Sequence, residues 1–169
     1  LTPAETLPLG ADLPVCMAAV PTRMRGIGEQ LDPLPALPDL HMVLVNPRQG
    51  IATPHVFRHL TKRDNPAMGD MPGAISAAGF VDWLAQQRND LQAPAIEALP
   101  VIADGIAGLN DTENCLLARM SGSGATCFGL YATAQDATAA ERRFRVAYPD
   151  WWAASGPVLK DAQSTRATT

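Results

Sequence analysis

The stretch Arg119-Met120-Ser121-Gly122-Ser123-Gly124-Ala125-Thr126 constrains this chain more than any other. It is rich in glycine and hydroxyls and separates two apolar runs, residues 115–118 and 127–131. A few consecutive apolar residues bounded by turn residues read as a strand buried on both faces, so the stretch links two strands. Gly122 and Gly124 take positive φ at little cost and leave backbone N–H groups uncovered. Successive N–H groups of this kind line a small concavity that attracts anions such as phosphate. A tight hairpin with glycine in its turn satisfies the same residues, and Ser-Gly-Ser-Gly in isolation favours that simpler reading.

Composition narrows the classes. A chain of 169 residues is about one domain long and can bury a real core. With 47% apolar and 18% charged residues it is globular rather than disordered. The net charge of −4 comes without a basic cluster, since the arginines are scattered and the lysines are only Lys62 and Lys160, which argues against a nucleic-acid partner. No apolar run approaches the ~20 residues of a membrane span, and no signal peptide opens the chain, so a membrane partner is not expected. Cys16, Cys115 and Cys127 sit in apolar segments without metal-ligand spacing. They read as reduced core thiols in a cytoplasmic setting.

Upstream, Leu9-Gly10-Ala11-Asp12-Leu13-Pro14-Val15-Cys16 is an apolar octet with Asp12 as its one charged residue. A carboxylate there must be capped, hydrogen-bonded or functional, because an unpaired buried charge is costly. Asp12 as the N-cap of a short helix, with Pro14 close behind, is the reading the segment alone favours. Gly26-Ile27-Gly28-Glu29 reads as a strand bulge or a close backbone approach. It is not a dinucleotide fingerprint, since the third glycine is missing and no helical pattern follows. Prolines at 33, 35 and 38 make a stiff connection where a domain can change. Residues 41–46 are the clearest strand, ending at the Asn46-Pro47 turn.

Thr53-Pro54 predicts an N-cap and first helical residue, opening a short helix to about Leu60. His55 and His59 are spaced for one helix face, but no Glu of an H-E-x-x-H pattern and no third ligand accompanies them, so no metal site is expected. Residues 61–73 read as loop, and 76–87 as a helix with Phe80, Trp83 and Leu84 inward. Residues 94–109 carry apolar positions three and four apart, and Pro100 divides them into two helices. Thr133 with Asp136 forms a capping box opening a helix with Ala137, Ala140, Phe144 and Ala147 inward, stopped before Pro149. Residues 151–159 read as an edge strand that tolerates Pro157, and 160–169 as a polar tail. The layout is α+β.

Six segments together resemble a known family. Leu9-Gly10-Ala11-Asp12-Leu13-Pro14-Val15, Gly26-Ile27-Gly28-Glu29, Val43-Leu44-Val45-Asn46-Pro47, Thr53-Pro54-x-Val56-Phe57, Asn89-Asp90-Leu91 and the stretch from Ala118 to Thr126 are similar, in order, to the C-terminal part of the GHMP kinases. Within that family they resemble the branch whose acceptor is a cytidine-diphosphate-linked methylerythritol, in the non-mevalonate route to isoprenoids. The resemblance implies a two-domain kinase using ATP and Mg²⁺, with both substrates in an interdomain cleft. It makes Asp12 the base that takes the proton of the acceptor's 2-hydroxyl, which raises the functional reading of Asp12 above the cap. It makes Ser121, Gly122, Ser123 and Gly124 a phosphate-side loop, in agreement with the anion reading. Thr53 and Phe57 fall in the substrate-facing segment, Phe57 against the cytosine ring, although Phe57 as a helix core residue fits equally well.

One departure stands out. The family's main ATP loop, P-x-x-x-G-L-G-S-S, does not occur here, nor do the partner lysine and first-half substrate residues. The expectation is therefore a fragment or truncated homologue, weak or inactive alone, whose missing N-terminal portion is its first partner. Residues 1–32 then form the tail of the ATP-binding domain, 33–160 a ferredoxin-like C-terminal domain, and 161–169 a flexible tail. The competing reading is a non-catalytic α+β module that binds a ligand or partner.

Overall fold

The computed structural model describes residues 7–10, 12–73 and 75–159. The abrupt start and the polar tail expected from sequence fall on residues largely outside that description. The chain divides into two compact units: Leu1–Asp39 with Met71–Ser76 and Val158–Thr169, and Leu40–Asp70 with Ala77–Pro157.

In the first unit a 3-10 turn, Leu7–Leu9, precedes helix α1, Leu13–Ala18, whose first turn holds the buried Pro14. Ala19, left-handed at φ 50°, ends it with its N–H on the Val15 carbonyl. Strands β1 (Thr22–Arg25) and β2 (Gln30–Pro33) form an antiparallel hairpin in which Arg25 faces Gln30. Gly26 and Gly28, at φ 68° and 109°, are thus the turn of that hairpin and not a bulge in one strand. The Glu29 carboxylate accepts the Ile27 N–H at 2.7 Å. Its own N–H and that of Ile27 hold its pKa below the ordinary carboxylate value. Cys16 is exposed, so of the three free thiols it is not a core group; the α1 face that carries it is turned outward.

The second unit is built on a four-stranded sheet. Its strands are β3 (His41–Asn46), β4 (Leu117–Met120), β5 (Cys127–Tyr131) and β6 (Trp152–Pro157), in the order β4-β5-β3-β6 and antiparallel throughout. Between β3 and β4 run α2 (Thr53–Arg58), α3 (Ala77–Ala85), α4 (Gln92–Ala98) and α5 (Val101–Asn110), and between β5 and β6 runs α6 (Ala134–Ala147). This βαββαβ order and sheet sequence give the expected ferredoxin-like α+β arrangement.

The elements form for the reasons their residues suggest. Val43 and Val45 alternate with half-buried neighbours, as a strand with one covered face requires. Pro100 occupies the N-cap position of α5 and separates it from α4. The Thr133 hydroxyl accepts the Asp136 N–H at 3.0 Å, capping α6, and donates to the Asp136 carboxylate at 2.5 Å, so the carboxylate meets the hydroxyl where a capping box has it on the backbone N–H. β6 is an edge strand ending at Pro157. The first apolar run differs from expectation: β4 starts at Leu117 and is only half-buried apart from Met120. Asn114, left-handed at φ 59°, turns the chain after α5, and Cys115 and Leu116 are used in leaving that turn.

Helices α5 and α6 pack on the sheet and on each other. Ile102 and Leu109 of α5 and Ala137, Ala140 and Phe144 of α6 share one core with Val43, Val45, Cys127, Tyr131 and Ala153. Phe144 is 1% exposed, and burial of such a ring contributes about 2–3 kcal/mol. Tyr148 stacks on it at 4.5 Å between ring centroids. Register then positions this end of the sheet: Val45 lies opposite both Cys127 and Ala153, so Asn46 comes level with Thr126, the last residue of the 121–126 connection.

Candidate functional site

The 121–126 connection joins Met120 to Cys127, which face each other across the β4–β5 ladder. It is a hairpin link, as the simpler sequence reading holds, and it also presents backbone amides. Ser121 N–H reaches the Thr126 carbonyl at 2.9 Å, and Gly124 N–H reaches the Ser121 carbonyl at 3.0 Å. The second bond closes a β-turn over 121–124 with Gly122 at φ 54°. Ser123 is not among the positive-φ residues, which is the pattern of a type II′ turn. Among the described residues no acceptor takes the N–H of Gly122 or of Ser123. The carbonyls of those two peptides are both engaged, Ser121 by Gly124 and Gly122 by Asn89. A trans peptide points its N–H opposite its C=O, so both free N–H groups are turned away from the groups that hold the loop. Two such donors side by side attract an anion.

Side chains from three other elements brace this loop. Asn89, just before α4, donates to the carbonyls of Met120 at 3.1 Å and Gly122 at 2.9 Å. Gln92, the first residue of α4, accepts the Met120 N–H at 3.1 Å. Asn46, at the end of β3, donates to the Thr126 hydroxyl at 2.9 Å. Arg119 reaches back to the last carbonyls of α3, Leu84 at 3.1 Å and Ala85 at 3.3 Å, where a cation complements the helix end. Burial lowers the pKa of that guanidinium from its usual value.

The fourth brace is Thr53. Its hydroxyl lies 2.8 Å from the Ser123 hydroxyl, which brings two predicted site residues, seventy positions apart, into contact. The expected cap is therefore corrected: Ala52 holds the N-cap position of α2 without a side-chain bond, and Thr53 is the first helical residue. Its hydroxyl is committed to the loop instead of to its own helix. Phe57 follows four residues on, on the same face. The helix-core reading of Phe57 does not hold: the ring is 49% exposed, and the buried residue of α2 is Val56. The His55 and His59 rings lie 4.4 Å apart at a tilt of 37°, and the His59 Nδ1 lies 2.8 Å from the His55 carbonyl.

Asp12 belongs to the first unit. It occupies the N-cap position of α1 but at helical φ and ψ, and it makes no side-chain capping bond. It is exposed, so the premise that it is a buried charge needing a cap is corrected as well.

Sequence reasoning gave Ser121, Gly122, Ser123 and Gly124 to the phosphate side and Thr53 to the substrate-facing segment, and within the second unit Thr53 meets the loop at Ser123. It gave no site role to Asn46, Asn89, Gln92 or Thr126. A signal was present, since Asn46-Pro47 and Asn89-Asp90-Leu91 are polar interruptions at the ends of apolar segments, but such residues read first as turn formers. For the implied groups the fit is as follows. Two free amides and two serine hydroxyls suit phosphate oxygens. Among the described residues no cluster of three or more His, Cys, Asp or Glu could hold an ion, which suits Mg²⁺ only as an ion carried largely by phosphates and water. No helix among the described residues is long and apolar enough to cross a membrane.

Comparison with known proteins agrees with the geometry. Residues 74–150 match the family model described as GHMP kinases C terminal. The 4-diphosphocytidyl-2-C-methyl-D-erythritol kinase of Paracoccus denitrificans is 52% identical over 157 residues, covering 92% of this chain and 57% of that protein. The enzyme of the same name from Dinoroseobacter shibae is 50% identical, covering 90% and 53%. A crystal structure of 4-(cytidine 5'-diphospho)-2C-methyl-D-erythritol kinase superposes with a TM-score of 0.70 at 29% identity, over 90% of this chain and 56% of that one. Homoserine kinase from Cytophaga hutchinsonii shares the fold, with a TM-score of 0.59 at 13% identity, over 85% of this chain and 49% of that one. The chain spans somewhat more than half the length of the curated relatives it matches.

Proposed function

We propose that this chain, whose residues 74–150 match the family model described as GHMP kinases C terminal, is the C-terminal part of an ATP-dependent small-molecule kinase. The acceptor is the 2-hydroxyl of 4-diphosphocytidyl-2-C-methyl-D-erythritol, the compound named in its relatives. The observation that carries the reading is the 121–124 turn, with its two outward N–H groups and its hydroxyl contact to Thr53.

Phosphoryl transfer asks the protein for positioning and charge stabilisation more than for covalent chemistry. ATP with Mg²⁺ supplies the transferable phosphoryl group when bound. The N–H groups of Gly122 and Ser123 and the hydroxyls of Ser121 and Ser123 hold phosphate oxygens, and Gly124 closes the turn that aims them. Asp12 accepts the proton of the acceptor's 2-hydroxyl as that oxygen forms its bond to the γ-phosphorus and the bond from that phosphorus to the bridging oxygen breaks, releasing ADP. The exposed face of Phe57 stacks on the cytosine ring, with Thr53 one turn before it on the same helix face. The unit that holds α1 and the β1–β2 hairpin contributes to the ATP-binding domain, and Leu40–Asp70 with Ala77–Pro157 forms the C-terminal domain. The family's main ATP loop comes from outside this chain. Three free thiols suit a reducing, cytoplasmic setting.

The test is phosphoryl transfer from ATP to the cytidine-linked alcohol by the protein at its full natural length, beside its Asp12→Ala variant. A general base contributes about 10²–10⁴-fold, so the variant is expected to lose that much in kcat. Full retention of rate removes Asp12 from the role. No transfer by the unaltered protein leaves a non-catalytic binding module.

A further inference from the structure

Asn89 is the residue on which the orientation of the loop converges. Its carboxamide spends both N–H donors on the carbonyls that bracket Ser121, those of Met120 at 3.1 Å and Gly122 at 2.9 Å. Its oxygen accepts the Leu91 N–H at 3.1 Å, an Asx-type bond that fixes which end of the amide is which. The residue is tied to the start of α4, a rigid element whose Gln92 also accepts the Met120 N–H. Turning the Gly122 carbonyl toward Asn89 forces the N–H of Ser123 the opposite way, because the peptide between them is trans. Gly122 itself gives the loop little restraint, since no atom lies within 4 Å of the place its Cβ would take.

We infer that Asn89 is a positioning residue for nucleotide phosphate: by holding the Met120 and Gly122 carbonyls it aims the Ser123 N–H at the anion. The inference rests on the reading of 121–124 as a phosphate-side loop. Asn89 touches no substrate in this role; it acts through the backbone. Asn89→Asp is the informative change, because it is nearly isosteric and keeps the acceptor for Leu91 N–H. It removes both donors and sets a carboxylate against two carbonyl oxygens.

The experiment uses the protein at full natural length. Steady-state kinetics are measured against ATP and against the acceptor alcohol, with amide resonances of Gly122 and Ser123 followed during an ATP titration. The expected result is an ATP-dependent shift of both amides in the unaltered protein. In Asn89→Asp that shift is weakened and kcat/KM for ATP falls by about tenfold or more, with KM for the acceptor unchanged. Retained kcat/KM for ATP in the variant, with the amides still responding, overturns the role of Asn89 and leaves the loop reading intact. Parallel loss toward both substrates, matching a drop in thermal stability, makes Asn89 merely structural and overturns it too. Amides that ignore ATP in the unaltered protein overturn the loop reading itself.

Discussion

The two glycines of the loop answer to different physics, and alanine separates them. Gly122 sits at φ 54° at the first central position of the type II′ turn, where glycine is the favoured residue, and no atom beyond its chain neighbours lies within 4 Å of the place a methyl group would take. Gly122→Ala therefore meets only that backbone penalty, about 2 kcal/mol. Gly124 is also at positive φ, 89°, and a Cβ there lies 3.0 Å from the Met120 sulfur and 3.2 Å from Ile102 Cδ1. Met120 and Ile102 are 1% and 0% exposed, so neither can swing into solvent to make room. Gly124→Ala combines a similar conformational penalty with overpacking of about 1–3 kcal/mol, giving about 4 kcal/mol in all. Urea denaturation of the two variants, with m-values compared to confirm a common transition, reads the difference directly. At about 2–4 °C per kcal/mol for a chain of this size, thermal melting is expected to shift by about 6 °C for Gly122→Ala and about 12 °C for Gly124→Ala. Equal shifts, or a larger one at Gly122, would refute the assignment of the loop's strain and packing.

Two further outcomes follow from the second unit. Burial pushes the Cys127 thiol up from 9.0 to about 12, a shift in the direction that favours the protonated folded state. Its stabilisation is complete below pH about 9 and is lost as pH rises toward 12, so the stability gap between the unaltered protein and Cys127→Ala narrows across that window in chemical denaturation at stepped pH. Thr133→Ala removes the acceptor of the Asp136 N–H and is expected to cost about 1 kcal/mol by urea denaturation, whereas Thr133→Ser retains most of the stability.

Legibility followed the range of the interactions. Strand β3, the Pro100 break and the Thr133 cap were readable because each is written in adjacent residues: alternation, a missing N–H, a hydroxyl three positions from a carboxylate. The glycine loop was readable as a chemistry and as a hairpin, and it is both. The braces were not readable, because they join partners far apart in sequence. Nothing near Thr53 announces that its hydroxyl leaves the helix start for Ser123, and local capping preference points the other way. Asn89 and Asn46 look like turn residues until the fold sets them against Gly122 and Thr126. Phe57 illustrates the limit of pattern alone: Val56 and Phe57 are equally apolar, and only packing decides that Val56 is buried and the ring left outside. Asp12 illustrates it from the other side, since an apolar sequence context suggested a burial that the folded chain does not impose.

A crystal structure of the full-length protein with a non-hydrolysable ATP analogue and the cytidine-linked alcohol puts the kinase reading to its most direct trial. The expected result places phosphate oxygens within hydrogen-bonding distance of the Gly122 and Ser123 nitrogens, with the Asp12 carboxylate on the acceptor's 2-hydroxyl. Phosphates seated away from the 121–124 turn, or an Asp12 remote from the alcohol, would contradict it.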